Sequence, residues 1–150
     1  MGTIEVSADR MVEAPADVVY GYVAGLRDHR PHYLASAISD YTVETGGVGA
    51  GTIVRYRLTA GGRSREYELH VAEPEPGKVL SQSDARSSLV TRYTVIPHDA
   101  VSRVRITTTW EGSGGVGGVF ERLFAPKVLR RVHAEELERL DAYARHQSAG

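Results

Sequence analysis

The 150-residue sequence contains no cysteine, which excludes disulfide frameworks, thiolate nucleophiles and cysteine-held zinc or iron–sulfur centres. It also lacks any excess of charge. Eighteen Lys and Arg stand against nineteen Asp and Glu, a formal net charge of -1, so there is no basic field to gather phosphates and no nucleic-acid partner is expected. No run approaches the roughly 18 to 20 continuous apolar residues that span a bilayer, so integral membrane contact is not expected either. The opening MGTIEVSADRMVEAP has acidic residues where a secretory signal needs a basic start and an apolar core. Together with the missing cysteine this fits a reducing compartment, and a cytoplasmic location is the expectation. No repeat of 20 to 50 residues and no composition shift interrupts the chain, so residues 1–150 read as one domain. A hydrophobic fraction of 41% and a charged fraction of 25% are those of an ordinary globular protein, and the length suffices to bury a core without crosslinks.

What is present is mostly strand pattern. Residues 3 to 13 alternate, with Ile4, Val6, Ala8 and Val12 on one parity. Ala14-Pro15-Ala16-Asp17 starts a helix, with proline at its first position and an early acid at its positive end. Val18, Val19, Tyr22, Val23 and Leu26 continue it at helical spacing. A second short helix is expected between Arg27 and Ser39, facing Tyr33, Leu34, Ala37 and Ile38 inward despite Pro31. Strands follow at 40 to 45, 51 to 60, 63 to 73, 78 to 83, 88 to 97 and 102 to 111, seven in all. Gly61-Gly62 is a two-residue hairpin turn, and placing Ala60 opposite Arg63 sets a register. Arg57 then faces Glu66, Arg55 faces Glu68, Tyr56 meets Tyr67 and Val54 meets Leu69. From Val116 to His146 the pattern is helical, with Pro126 expected to kink or restart the helix.

This order resembles the START-like, or SRPBCC, superfamily, whose founding shape is the birch-pollen-allergen helix-grip fold. Its landmarks are Val12-Glu13-Ala14-Pro15-Ala16-Asp17-Val18-Val19-Tyr20, Gly49-Ala50-Gly51-Thr52, Val71-Ala72-Glu73-Pro74-Glu75-Pro76-Gly77 and the glycine-rich approach to a terminal helix bearing Leu137 and Leu140. Within the superfamily the chain is most similar to the bacterial polyketide cyclase/dehydrase and lipid-transport-like group. The resemblance implies an α+β helix-grip fold: a curved seven-stranded antiparallel sheet, two short helices and a long C-terminal helix enclosing a cavity. It also implies a small apolar or aromatic molecule as partner and no cofactor, with the protein a monomer or homodimer.

Several constellations invite sharper readings. Gly112-Ser113-Gly114-Gly115-Val116-Gly117 spells a dinucleotide fingerprint, but the chain ends with the following helix, so no βαβ unit can form. The glycines read instead as a hinge. Asp28, His29 and His32 lack an obvious third ligand partner, so no metal is assigned. Arg55, Arg57, Arg92, Arg103 and Arg105 fall on the parity opposite the presumed pocket, where Glu66 and Glu68 make them a salt-bridged outer face.

The expected ligand-binding set comes from strand parity and helix stripe: Val54, Tyr56, Leu58, Tyr67, Leu69, Thr91, Tyr93, Thr108 and Trp110 on the sheet, under Phe120, Leu129 and His133. His133, on the stripe of Leu129 and Leu137, is the best candidate general acid or base. Arg65 has inward parity and is placed to meet a ligand carboxylate. Three functions fit: a carrier that encloses a lipid, polyketide or aromatic metabolite; a polyketide aromatase/cyclase or dehydratase acting through His133, Tyr56, Tyr67 and Tyr93; and an interaction module with a filled core.

Overall fold

In a computed structural model, residues 2–112 and 124–149 are described. Seven strands form one antiparallel sheet: β1 (Thr3–Val12), β2 (Ile38–Thr45), β3 (Ile53–Ala60), β4 (Arg63–Glu75), β5 (Val79–Asp84), β6 (Val90–His98) and β7 (Val101–Glu111). Their order is β1-β7-β6-β5-β4-β3-β2, so every neighbour except β1–β7 is a sequential hairpin. The helix α1 (Ala16–Ala24) follows β1, and the long helix α2 (Pro126–Ala149) ends the chain. This curved antiparallel sheet with a long C-terminal helix is the helix-grip architecture.

The hairpin after β3 has the register its glycines require. Ala60 pairs with Arg63, Arg57 with Glu66, Tyr56 with Tyr67, Arg55 with Glu68 and Val54 with Leu69. Gly61 and Gly62 take φ of 58° and 78°, the pair of left-handed residues that a tight turn between right-twisted strands demands. The outer face carries the expected ion pairs, Arg55 with Glu68 and Arg57 with Glu66, and Asp9 pairs there with Arg103 and Arg105 as well.

Residues 27–39 differ from expectation. In place of a full second helix there is one 3-10 turn, Arg30–His32, because Pro31 has no N–H with which to extend a helical ladder. Tertiary bonds hold the rest of the segment: the Tyr33 hydroxyl donates to the Tyr22 carbonyl at 2.8 Å, and Ser36 donates to Glu135. Pro15 sits one residue earlier than expected, as the cap preceding α1. Pro126 opens α2, the position where a missing N–H costs least, and the stretch 116–123 expected to be helical before it lies outside the described residues. The hinge expected at Gly112–Gly117 lies almost wholly outside the described residues, as does Phe120.

Two devices clamp α2 over the sheet. The buried Asp141 carboxylate accepts the Glu13 backbone N–H at 3.0 Å and the Arg145 side chain at 3.2 Å, tying the helix to the end of β1. Two residues nearer the chain end, the Tyr143 hydroxyl shares a 2.7 Å hydrogen bond with His29 Nδ1, and its ring meets Tyr22 edge-on at 5.1 Å. Leu129, Val132, Leu137, Leu140 and Ala144 form the buried stripe along the helix.

Candidate functional site

A cavity lies where the stripe of α2 crosses β3 to β7. Its walls include Tyr56 and Leu58 of β3, Tyr67 of β4, Gln82 of β5, Thr91 and Tyr93 of β6, and Thr108 of β7. Leu129, Val132, His133 and Glu136 cover it from the helix, while Arg30, Ile38 and Leu89 close its sides. The cavity volume is about 30 Å³, room for about two water molecules.

Strand parity identified the correct face but not how far along the strands the cavity runs. Tyr56, Leu58, Tyr67, Thr91, Tyr93, Thr108, Leu129 and His133 line it as expected. Val54, Leu69 and Trp110 do not: they are buried on the same face, yet they pack in the core beyond the cavity's ends. Val54 and Leu69 pair with each other, one inward step past Tyr56 and Tyr67. Trp110 is one inward step past Thr108, beside Ile4 of the edge strand.

The polar interior was the larger omission. Arg30, 2% exposed, donates from Nη1 to Gln82 Oε1 and from Nη2 to Glu136 Oε1, both at 3.2 Å. Glu136, also 2% exposed, accepts the Tyr93 hydroxyl as well. Burial works against the charge on Arg30, but the contact with Glu136 outweighs it and keeps its pKa above the ordinary arginine value. The Arg30 guanidinium also lies 5.2 Å from the Tyr93 ring centre, within reach of a cation–π contact. Burial, only partly offset by Arg30, pushes the Tyr93 hydroxyl well above its usual range, so it stays protonated and donates.

Sequence signals for this network existed. Glu136 is four residues from both Val132 and Leu140, squarely on the buried stripe, and Gln82 shares the inward parity of Leu80. Arg30 had none, because its burial follows from the fold of the connector around it.

A second polar line runs Thr91–Thr108–His133. The two threonine hydroxyls are 2.7 Å apart, and Thr108 Oγ1 lies 2.7 Å from His133 Nε2. Burial first, and the nearby Arg30 charge second, lower the His133 pKa to about 4, so the imidazole is neutral at pH 7. At the opposite wall the buried Tyr67 hydroxyl has no hydrogen-bond partner among the described residues. Next to it Arg65 donates from Nη2 to Asp84 Oδ2 at 2.7 Å, and Ser87 donates to the same oxygen at 2.6 Å. The Arg65 group placed by parity to meet a ligand carboxylate therefore already holds one from its own chain.

The arrangement is a mostly apolar pit with internally paired charges and a few oriented hydroxyls. Among the described residues no group of three or more histidines or carboxylates could hold a metal ion, and no helix is long and apolar enough to cross a membrane.

Comparison with known structures extends over almost the whole chain. The solution structure of KanY protein superposes with a TM-score of 0.84 at 36% identity, covering 97% of this chain and 99% of that one. The ZhuI aromatase/cyclase from Streptomyces sp. R1128 superposes at 0.74 with 15% identity over 98% and 96% of the two chains. A norcoclaurine synthase from Thalictrum flavum does so at 0.72 with 18% identity over 98% and 97%. These last two establish the shared fold alone. No curated protein matches the sequence. The family described as polyketide cyclase/dehydrase and lipid transport matches residues 3–145, and the chain belongs to it.

Proposed function

We propose that this protein binds one small, mostly apolar molecule in the cavity between β3–β7 and α2. The observation that carries the reading is the composition of the cavity wall. Tyr56, Leu58, Leu89, Leu129 and Val132 give apolar surface, while Tyr67, whose buried hydroxyl has no partner among the described residues, also lines the space. Ligand sites combine such apolar walls with a small number of placed polar groups. Family membership agrees, since the group is described by ligand chemistry and lipid transport. The space of about 30 Å³ is far below the roughly 300 to 1,000 Å³ of a drug-sized site, so a ligand of that size binds by pushing α2 and the sheet apart.

A cyclase or dehydratase is the second reading, favoured by the family's description and by the buried Tyr93–Glu136–Arg30 group, where a protonated phenol donates to a carboxylate. Such a pair can pass a proton to a substrate held against it. His133 suits that role less, because a base with a pKa of about 4 lies well below the ideal for work near neutrality.

Native mass spectrometry of the purified protein tests the binding reading. A retained small molecule, removed by organic solvent and restored on mixing, is the expected result. A protein that is always empty and shows no thermal shift with a panel of lipids and aromatics overturns it. Turnover of a poly-ketone chain that is lost in Tyr93→Phe, with binding intact, would promote the second reading over the first.

A further inference from the structure

We infer that the cavity selects a neutral molecule bearing one hydroxyl or carbonyl oxygen, and that Tyr67 is the residue that recognises this oxygen. The inference rests on the binding reading above and narrows it.

Two arginines near a ligand cavity suggest an anionic ligand, and charge pairing argues the opposite. Arg30 is matched by Glu136 and Arg65 by Asp84. His133 contributes no charge at neutral pH. A carboxylate entering this region meets no uncompensated cation, and it would leave water only to lie near two buried carboxylates. Burying a charge without a partner costs several kcal/mol, far more than a neutral polar group.

Most of the neutral groups are spoken for in the same way. Thr91, Thr108 and His133 bond one another, the Tyr93 hydroxyl is donated to Glu136, and Gln82 Oε1 accepts from Arg30. The Tyr67 hydroxyl is the neutral side-chain oxygen that is both buried and unpartnered among the described residues. Tyr67 is 3% exposed and lines the cavity, and its oxygen has no partner among the described residues. The Arg65 guanidinium carbon lies 4.3 Å from the Tyr67 ring centre, and burial raises the phenol's pKa while the adjacent Arg65 draws it part of the way back. Arg65 Nη1 and Asp84 Oδ1 are likewise buried without partners. Of these three residues only Tyr67 lines the cavity. A ligand hydroxyl can accept from Tyr67 or donate to it, and a carbonyl can accept from it. An unpartnered buried phenol is costly when the site holds a plain hydrocarbon, and that cost is relieved by an oxygen.

Phenol, toluene and benzoate are matched in shape and differ in the group that decides the question. Their affinities for the intact protein are read from amide chemical-shift titrations. Phenol should bind about tenfold more tightly than toluene, the worth of one hydrogen bond, although toluene is the more hydrophobic. Benzoate should bind more weakly than phenol. Tyr67→Phe should bring phenol down to the level of toluene and leave toluene unchanged, with a melting curve confirming the fold. Equal binding of phenol and toluene, tightest binding of benzoate, or a phenol preference that survives Tyr67→Phe overturns the inference while leaving the binding reading intact. The wild-type ranking decides by itself if the variant is unstable. Failure of all three probes to bind removes both.

Discussion

His133 was singled out by its place on the α2 stripe, and it does face the cavity, where it is 8% exposed and 2.7 Å from Thr108 Oγ1. The stripe could not tell what burial does to its charge. Desolvation and the Arg30 charge lower its pKa from 6.5 to about 4, so the native state refuses a proton that the unfolded chain accepts between those values. Above pH 6.5 both states are neutral and the contribution of His133 to stability is complete. As pH falls toward 4 the unfolded state gains protons first, and about 3 kcal/mol of stability is lost from this group. Urea unfolding at a series of pH values should show the loss in the wild type and a correspondingly flatter profile in His133→Gln, whose side chain keeps a polar group near Thr108 without titrating. Parallel profiles would mean that the native imidazole titrates normally. The residues that the sequence hid are those whose chemistry reads as surface. Glu136 and Arg30 are each 2% exposed, and only a charged residue's position on an apolar stripe betrays such burial; Glu136 had that signal and Arg30 did not.

At the scale of elements, what was legible depended on whether local chemistry or distant packing decides the geometry. The β3–β4 register followed from two glycines, because a two-residue turn leaves no freedom to slip and charge and apolar pairs agree on both faces. The connector 27–39 was read as a helix and is one turn, because its shape is set by partners on α1 and α2. Arg30 makes that connector a structural joint: it links the 3-10 turn to Gln82 of β5 and to Glu136 of α2, which in turn holds Tyr93 of β6. Removing one member strands the other charge in the interior. Glu136→Ala should therefore cost about 3 to 5 kcal/mol, seen as a lower urea midpoint with unchanged slope. Replacing both partners, Arg30→Met with Glu136→Leu, should recover most of that loss, because the penalty comes from the unpaired charge more than from the lost bond. A Glu136→Ala loss under 1 kcal/mol would show that water reaches Arg30.

For the whole molecule, the fold class was legible because alternation, turn residues and one long apolar stripe come in an order that few architectures accommodate, whereas the cavity's size depends on how closely two layers approach. That approach is fixed in the second half of α2 by Glu135 on Ser36, Asp141 on Glu13 and Tyr143 on His29. Under the first half of the helix the layers leave about 30 Å³, so a ligand larger than a few atoms needs a state in which the layers have separated. Separation breaks packed contacts and the Thr108–His133 and Tyr93–Glu136 bonds that join sheet to helix at the cavity while those ties hold, so it is a distinct conformational step, and binding should be limited by it once ligand is plentiful. Stopped-flow mixing with the fluorescent probe 1-anilinonaphthalene-8-sulfonate should give an observed rate that rises and then reaches a plateau as probe concentration increases. Although the probe's charge weakens its affinity by the argument from Tyr67, its aromatic body still requires the opening, so the plateau is expected even where saturation takes high concentration. A rate that climbs linearly throughout, as in docking to a ready-made surface, would place the probe outside the cavity or show that the layers are already apart.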